Sequence, residues 1–152
     1  MYMVFNVPAN QAVVATTFKT AGNIISTTGV RPQIFDFTVG CEGTPADNSL
    51  VWQMARSTQA GAGTGTPVTP QPEDSNDPAA TASAESNYTV EPTVISSTPV
   101  WGPMAINQRA TYRWVAAPGS ELILPAAANG LVAQVKSPGF TGQADIAILY
   151  RE

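Results

Sequence analysis

The 152-residue chain reads as all-β, an antiparallel β-sandwich or jelly roll. Three observations carry that reading. Apolar residues recur at every second position in short segments, Gly, Pro and Asn punctuate those segments, and no stretch of a dozen residues holds a helical period. The expected strands, in order, are Tyr2 to Val7, Ala12 to Lys19, Asn23 to Thr28, Gln33 to Cys41, Leu50 to Ser57, Tyr88 to Ile95, Met104 to Gln108, Thr111 to Ala116, Glu121 to Leu124, Leu131 to Lys136 and Ala144 to Tyr150. Three of them alternate cleanly. Phe35, Phe37 and Val39 oppose Ile34, Asp36 and Thr38; Tyr112, Trp114 and Ala116 oppose Thr111, Arg113 and Val115; Ile146, Ile148 and Tyr150 oppose Asp145, Ala147, Leu149 and Arg151.

Turn chemistry links these runs. Ala117-Pro118-Gly119-Ser120 suits a type II turn, with Pro fixing φ at the second position and Gly supplying positive φ at the third. The expectation is a hairpin joining Thr111 to Ala116 with Glu121 to Leu124, across which Arg113 meets Glu121. Asn129-Gly130 and Ser137-Pro138-Gly139 divide the C-terminal part into short strands at sandwich spacing.

Residues 58–87 interrupt this pattern. They carry no base, four acids (Glu73, Asp74, Asp77, Glu85) and a Gly/Pro/Thr/Ala composition. Pro67, Pro70 and Pro72 disfavour regular structure, and Asp77 to Glu85 is the only short helical run. The segment therefore reads as an extended loop or arm inserted between the two halves of one domain spanning 1–152.

Charged residues are only 12% of the chain and the formal net charge is −4, so the surface is mostly neutral and polar and repels copies of itself weakly. The seven bases are scattered, which excludes an electrostatic footprint for nucleic acid. No apolar run approaches the roughly 18 residues of a membrane helix, and the N-terminus lacks a basic region before an apolar one. The expectation is a soluble, unprocessed chain of cytoplasmic origin. Cys41 stands alone and forms no internal disulfide.

The chain contains no histidine, which removes the usual general base, the Ser-His-Asp and Cys-His systems and the commonest zinc ligand. Glu73/Asp74, Glu85 and Glu91 are the carboxylates for glycosidase chemistry, but they sit in or beside a segment where nothing fixes their separation. Residues 61–66, Gly-Ala-Gly-Thr-Gly-Thr, lack a Walker lysine and a following helix. Asp74, Asn76 and Asp77 offer oxygens to calcium, yet their spacing matches no EF-hand loop. No cofactor or metal is expected. Trp114 is expected in the core. For Trp52 and Trp101 core, subunit boundary and sugar-stacking platform all stand open. Arg56, Arg109 and Arg113 read as structural bases with carboxylate or carbonyl partners.

Several stretches together resemble a known group. They are residues 51–58 (Val-Trp-Gln-Met-Ala-Arg-Ser-Thr) running into 63–70 (Gly-Thr-Gly-Thr-Pro-Val-Thr-Pro), then 89–93 (Thr-Val-Glu-Pro-Thr), then 107–119 (Asn-Gln-Arg-Ala-Thr-Tyr-Arg-Trp-Val-Ala-Ala-Pro-Gly). Over roughly residues 50–135 the chain is similar to small proteins of tailed bacteriophages that decorate or cement the capsid. The resemblance implies a non-enzymatic virion protein: a homotrimer, made in the bacterial host cytoplasm, seated on the major capsid protein at the outer face of the shell. No capsid-contacting position is carried over from the group; the candidate subunit or capsid interface residues, read from their own chemistry, are Trp52, Arg56, Pro67, Pro70, Pro72, Trp101 and Arg109, with the 58–87 arm packing on a neighbouring subunit or on the shell. A tail or fibre component and a carbohydrate-binding β-sandwich using Trp52 or Trp101 are the alternatives.

Overall fold

The computed structural model describes residues 3–58, 63–94, 96–140 and 142–152. Among them there is no helix, and the strands are β1 (Val4–Gln11), β2 (Lys19–Ile25), β3 (Gln33–Gly43), β4 (Ser49–Thr58), β5 (Thr64–Val68), β6 (Gln71–Pro72), β7 (Ser83–Val90), β8 (Thr93–Val94), β9 (Trp101–Asn107), β10 (Tyr112–Val115), β11 (Leu122–Ile123), β12 (Asn129–Lys136) and β13 (Gly142–Arg151). They form an antiparallel β-sandwich. The first sheet runs β10-β3-β13-β1-β6, with β11 following β10 along the same edge of β3. The second runs β5-β7-β2-β12-β4-β8, with β9 and β8 sharing one edge of β4.

The core lies between the sheets. Alternation along β1 and β13 turns Phe5, Val7, Ile146, Ile148 and Tyr150 inward, where they meet Ile24, Trp52, Met54, Leu131 and Val135 of the second sheet. The sheets approach closely at Gly22, where an added Cβ would lie 2.8 Å from Ala9 Cβ.

The alternation expected for β3 holds at Phe37 and Val39 but breaks at Phe35. Leu149 and Tyr150, adjacent on β13, pair with Asp36 and Ile34, so Phe35 is the extra residue of a bulge. One extra residue reverses the faces beyond it. Ile34 therefore turns into the core beside Phe37, while Phe35 is only half-buried.

Other expectations are corrected. Residues 12–18, expected as strand, cross between the two sheets without strand structure, and β2 starts only at Lys19. The turn at 117–120 forms, with Gly119 at φ 84° and Ser120 N–H donating to Ala117 O at 2.8 Å. The hairpin does not. β10 and β11 pair one after the other with β3, so Arg113 is brought to Asp36 and Glu121 to Arg151, 2.8 Å away.

The largest correction concerns 58–87. The described part of this segment is woven into both sheets: β5 pairs with β7 on the second, β6 pairs with β1 on the first, and the short helical run at 77–85 gives way to β7. Residues 59–62 lie outside the described residues. Pro67 and Pro72 are tolerated because both strands are edges, where a missing N–H breaks no ladder on the outer side. Gly63 and Gly65 are needed for a different reason. A Cβ at either would come within 2.7 and 2.8 Å of the Tyr88 ring, which lies on the outer side of the second sheet over Asn23. That ring is 2% exposed, and Ala55 and Val132 on the same side of the sheet are also buried. The described part of the segment that composition marks as an arm thus folds onto its own sandwich.

Candidate interaction groove

The two sheets differ on their outer sides. On the second, polar side chains are engaged with one another. Glu91 accepts from Thr20 N–H at 2.8 Å and Thr20 Oγ1 at 2.6 Å and pairs with Lys19 at 3.1 Å, Gln53 Nε2 donates to Gln134 Oε1 at 2.9 Å, and Tyr88 donates to Glu85 while accepting from Asn23 Nδ2 at 3.1 Å. These partners occupy Glu85 and Glu91, while Glu73 is held beside β1 of the first sheet, its N–H donating to Val4 O at 2.9 Å.

The first sheet is open on its outer side. Register places Gly40, Asp145 and Asn10 in one row across β3, β13 and β1, with Thr111, just before β10, beside Gly40, and places Arg113, Thr38, Ala147 and Pro8 in the next row across β10, β3, β13 and β1. Small residues make the floor low. The result is a groove of about 650 Å³ bounded at the β1 edge by Pro67 and Val68. A second depression of about 310 Å³ adjoins it through Thr38 and Ala147 and is lined further by Asn6, Asp36, Glu73, Arg113 and Leu149.

Charges in the groove are fixed by geometry. Asp36 faces outward yet its side chain is only 5% exposed, because Arg113 lies over it. Arg113 Nε donates to both Asp36 oxygens at 3.0 Å, and its Nη2 makes a further contact with Oδ2. The two-pronged geometry is the strong form of this pair, and hydrogen bonding to Asp36 raises the Arg113 pKa. Asp145 accepts from Gln143 Nε2 at 2.7 Å. Burial, with the Asp145 charge adding, pushes the Cys41 thiol up, so it stays protonated while donating to Gln108 O at 3.0 Å. The lining offers hydroxyl, amide and carboxylate hydrogen-bonding groups around an apolar floor. No lining hydroxyl has a histidine or lysine beside it. This surface is chemically suited to holding a partner's backbone and polar side chains.

The seven residues expected at an interface are not brought together. Trp52 is 2% exposed inside the core. Burial on that scale leaves no face for a sugar or a neighbour. Arg56 reaches across the sandwich, its Nη1 donating to Ile123 O at 3.1 Å, and so ties the second sheet to β11. Trp101 is half-buried in the mouth between β9 and β10, edge-on to Phe37 at 4.9 Å and tilted against Tyr112 at 6.1 Å. Trp114, expected in the core, is half-buried in the same mouth and stacks on Phe37 at 5.1 Å. Pro67, Pro70 and Pro72 lie at the opposite edge, Pro70 buried where the chain crosses from β5 to β6. Arg109 sits on an end loop in an exposed 3.4 Å pair with Asp47, a geometry worth little.

Asp74 Oδ1 accepts from the Asn76 backbone at 2.9 Å and side chain at 3.1 Å, closing a local turn. No group of three or more His, Cys, Asp or Glu placed to hold a metal occurs among the described residues. No described helix is long and apolar enough to cross a membrane.

Sequence reasoning missed the groove residues Asn10, Thr38, Gly40, Asp145 and Ala147. The outward row Asp145, Ala147, Leu149 was legible, and its small central residue was the available signal. What joins that row to Pro8 and Asn10 is the pairing of β13 with β1, which connects opposite ends of the chain. Comparison with family models, with curated proteins and with solved structures finds no match for this chain.

Proposed function

We propose that this chain is a non-catalytic structural protein of a tailed-phage virion, a head decoration protein that binds the outside of the capsid as a homotrimer and stabilises it. The observation that carries the reading is the asymmetry between the two outer faces: one is closed by the chain's own polar network and the Tyr88 ring, the other is a broad, shallow groove floored by small residues. The resemblance over residues 50–135 supplies the partner. With the described part of 58–87 used inside the sandwich, the docking role passes to the groove around Thr38 and Ala147.

A low charge content lets such a protein sit close to its own copies and to a shell. Several modest contacts made at once by a trimer give avidity, since after the first each further contact is intramolecular. Shell expansion then has to break them together. The test is to mix the purified protein with capsids stripped of it and count bound copies. Binding at multiples of three, lost in Ala147→Arg with an unchanged melting temperature, is the expected outcome. No binding removes the virion reading, and undiminished binding by Ala147→Arg removes the groove as its docking face.

A further inference from the structure

A β-sandwich presents four sheet edges, and among the described residues three of these carry a strand with a device against strand addition. β5 carries Pro67 and a register shift between Thr64 and Thr66, β6 carries Pro72, and β9 carries Pro103 and pairs with β4 through a shift between Trp52 and Met54. Proline withholds a donor and a bulge spoils the spacing, so these edges are poor templates. The fourth edge has neither device. Tyr112 to Val115 of β10 pair with Val39 to Asp36 of β3 without a shift.

The register also shows which backbone groups of β10 point outward. Ala116 N–H donates to Phe35 O at 2.8 Å, so Tyr112 and Trp114, in step with it, turn their backbone groups to β3. Arg113 and Val115 turn theirs away. Farther along the same edge Ile123 also faces away, and there Arg56 caps its carbonyl at 3.1 Å. No described residue does this for Arg113 or Val115. The side chain that ordinarily guards such an edge is a free charge, but Arg113 is held by Asp36.

We infer that β10 pairs antiparallel with β10 of a second copy about a two-fold axis at Trp114, joining the two first sheets edge to edge. The occupant follows from self-complementarity. Two outward residues spaced by two present donors and acceptors that are reciprocal under a two-fold axis, giving four hydrogen bonds. Centring on Arg113 instead sets two guanidinium groups opposite each other. Centring on Trp114 places the Arg113 aliphatic stem against Val115 of the partner subunit, which covers a valine that is 57% exposed, and brings the two Trp114 rings side by side. The pairing is four residues, about 13 Å, long and falls below the size of a permanent interface, so the association is concentration-dependent.

The inference does not rest on the virion reading. Sedimentation velocity on the full chain across a concentration series, with hydrogen exchange at the two outward amides, tests it. The expected result is a doubling of the associating mass with concentration and matching protection of the Arg113 and Val115 amides. Val115→Pro removes an outward N–H without touching a bond to β3, and Val115→Arg opposes Arg113 with a like charge while keeping the backbone. Each is expected to weaken association about tenfold or more, with folding retained in Val115→Arg. A single mass at every concentration overturns the inference, as does association that both variants leave unchanged. A trimer insensitive to both removes β10 pairing while leaving the virion reading intact.

Discussion

Replacing Tyr150 by Phe and Tyr88 by Phe removes the same hydroxyl from two buried rings, and the two changes are expected to move stability in opposite directions. Tyr150 is fully buried, stacked on Phe5 at 5.4 Å, and its hydroxyl has no hydrogen-bond partner among the described residues. A buried unpaired hydroxyl costs about 1–3 kcal/mol, so Tyr150→Phe is expected to stabilise the protein by about 1 kcal/mol once the small void is counted against it. The Tyr88 hydroxyl donates to Glu85 and accepts from Asn23 Nδ2, whose side chain is itself buried. Losing it strips a charge-assisted bond and strands the Asn23 amide, at a cost of about 2 kcal/mol. For a domain of this size each kcal/mol is about 2–4 °C in melting temperature. Urea unfolding followed by tryptophan fluorescence at neutral pH separates the two signs. Alkaline pH extends the test. Burial first holds both hydroxyls above their ordinary pKa, assisted at Tyr88 by the bond to Glu85 and at Tyr150 by the charge of Glu152. The unfolded chain releases these protons near pH 10 and the folded chain keeps them, so stability is unaffected by these two groups below about pH 10 and falls as pH rises further. The slope is about 1.4 kcal/mol per pH unit for each tyrosine, and each Phe variant removes one share. A loss above about 1 kcal/mol in Tyr150→Phe, or a neutral Tyr88→Phe, refutes the packing assigned to these rings.

Two further outcomes follow from the same packing. Trp52→Ala empties a fully enclosed site and is expected to cost about 3–5 kcal/mol in chemical denaturation; a change within about 1 kcal/mol puts the ring at a surface instead. Gly22→Ala drives a Cβ to 2.8 Å from Ala9 Cβ, which is fixed to its own backbone and cannot swing aside, so a cost of about 1–3 kcal/mol is expected by thermal melting, and a neutral result means the sheets are not held this close.

Much of the fold was legible because alternation is a local property. β10 and β13 appear with the faces assigned to them, since each has a half-buried environment and no irregularity along most of its length. β3 was legible only to Phe37, because a bulge depends on how two strands pair and leaves no mark in either one's composition. β5 and β6 were not legible. Their Gly and Pro residues signal loop in isolation, yet in the sandwich Gly63 and Gly65 make room for Tyr88 and the prolines occupy edge positions. Trp52 and Trp101 look equivalent as sequence, and only their strands separate them. β4 is flanked on both sides and buries its tryptophan, whereas β9 is an edge that leaves Trp101 at the mouth.

Short alternating runs with Gly/Pro turns are enough to make this an all-β chain, and a histidine-free, weakly charged composition narrows its chemistry. Tertiary pairing set everything that depends on which strand lies beside which. It folded the described part of the 58–87 segment into both sheets, gave Arg113 to Asp36 and Glu121 to Arg151, and assembled a groove from residues as far apart as Pro8, Thr38 and Ala147. The physical reason is that side-chain facing follows from spacing of two along a strand, while strand neighbours are chosen by contacts between residues distant in the chain, which no local pattern encodes.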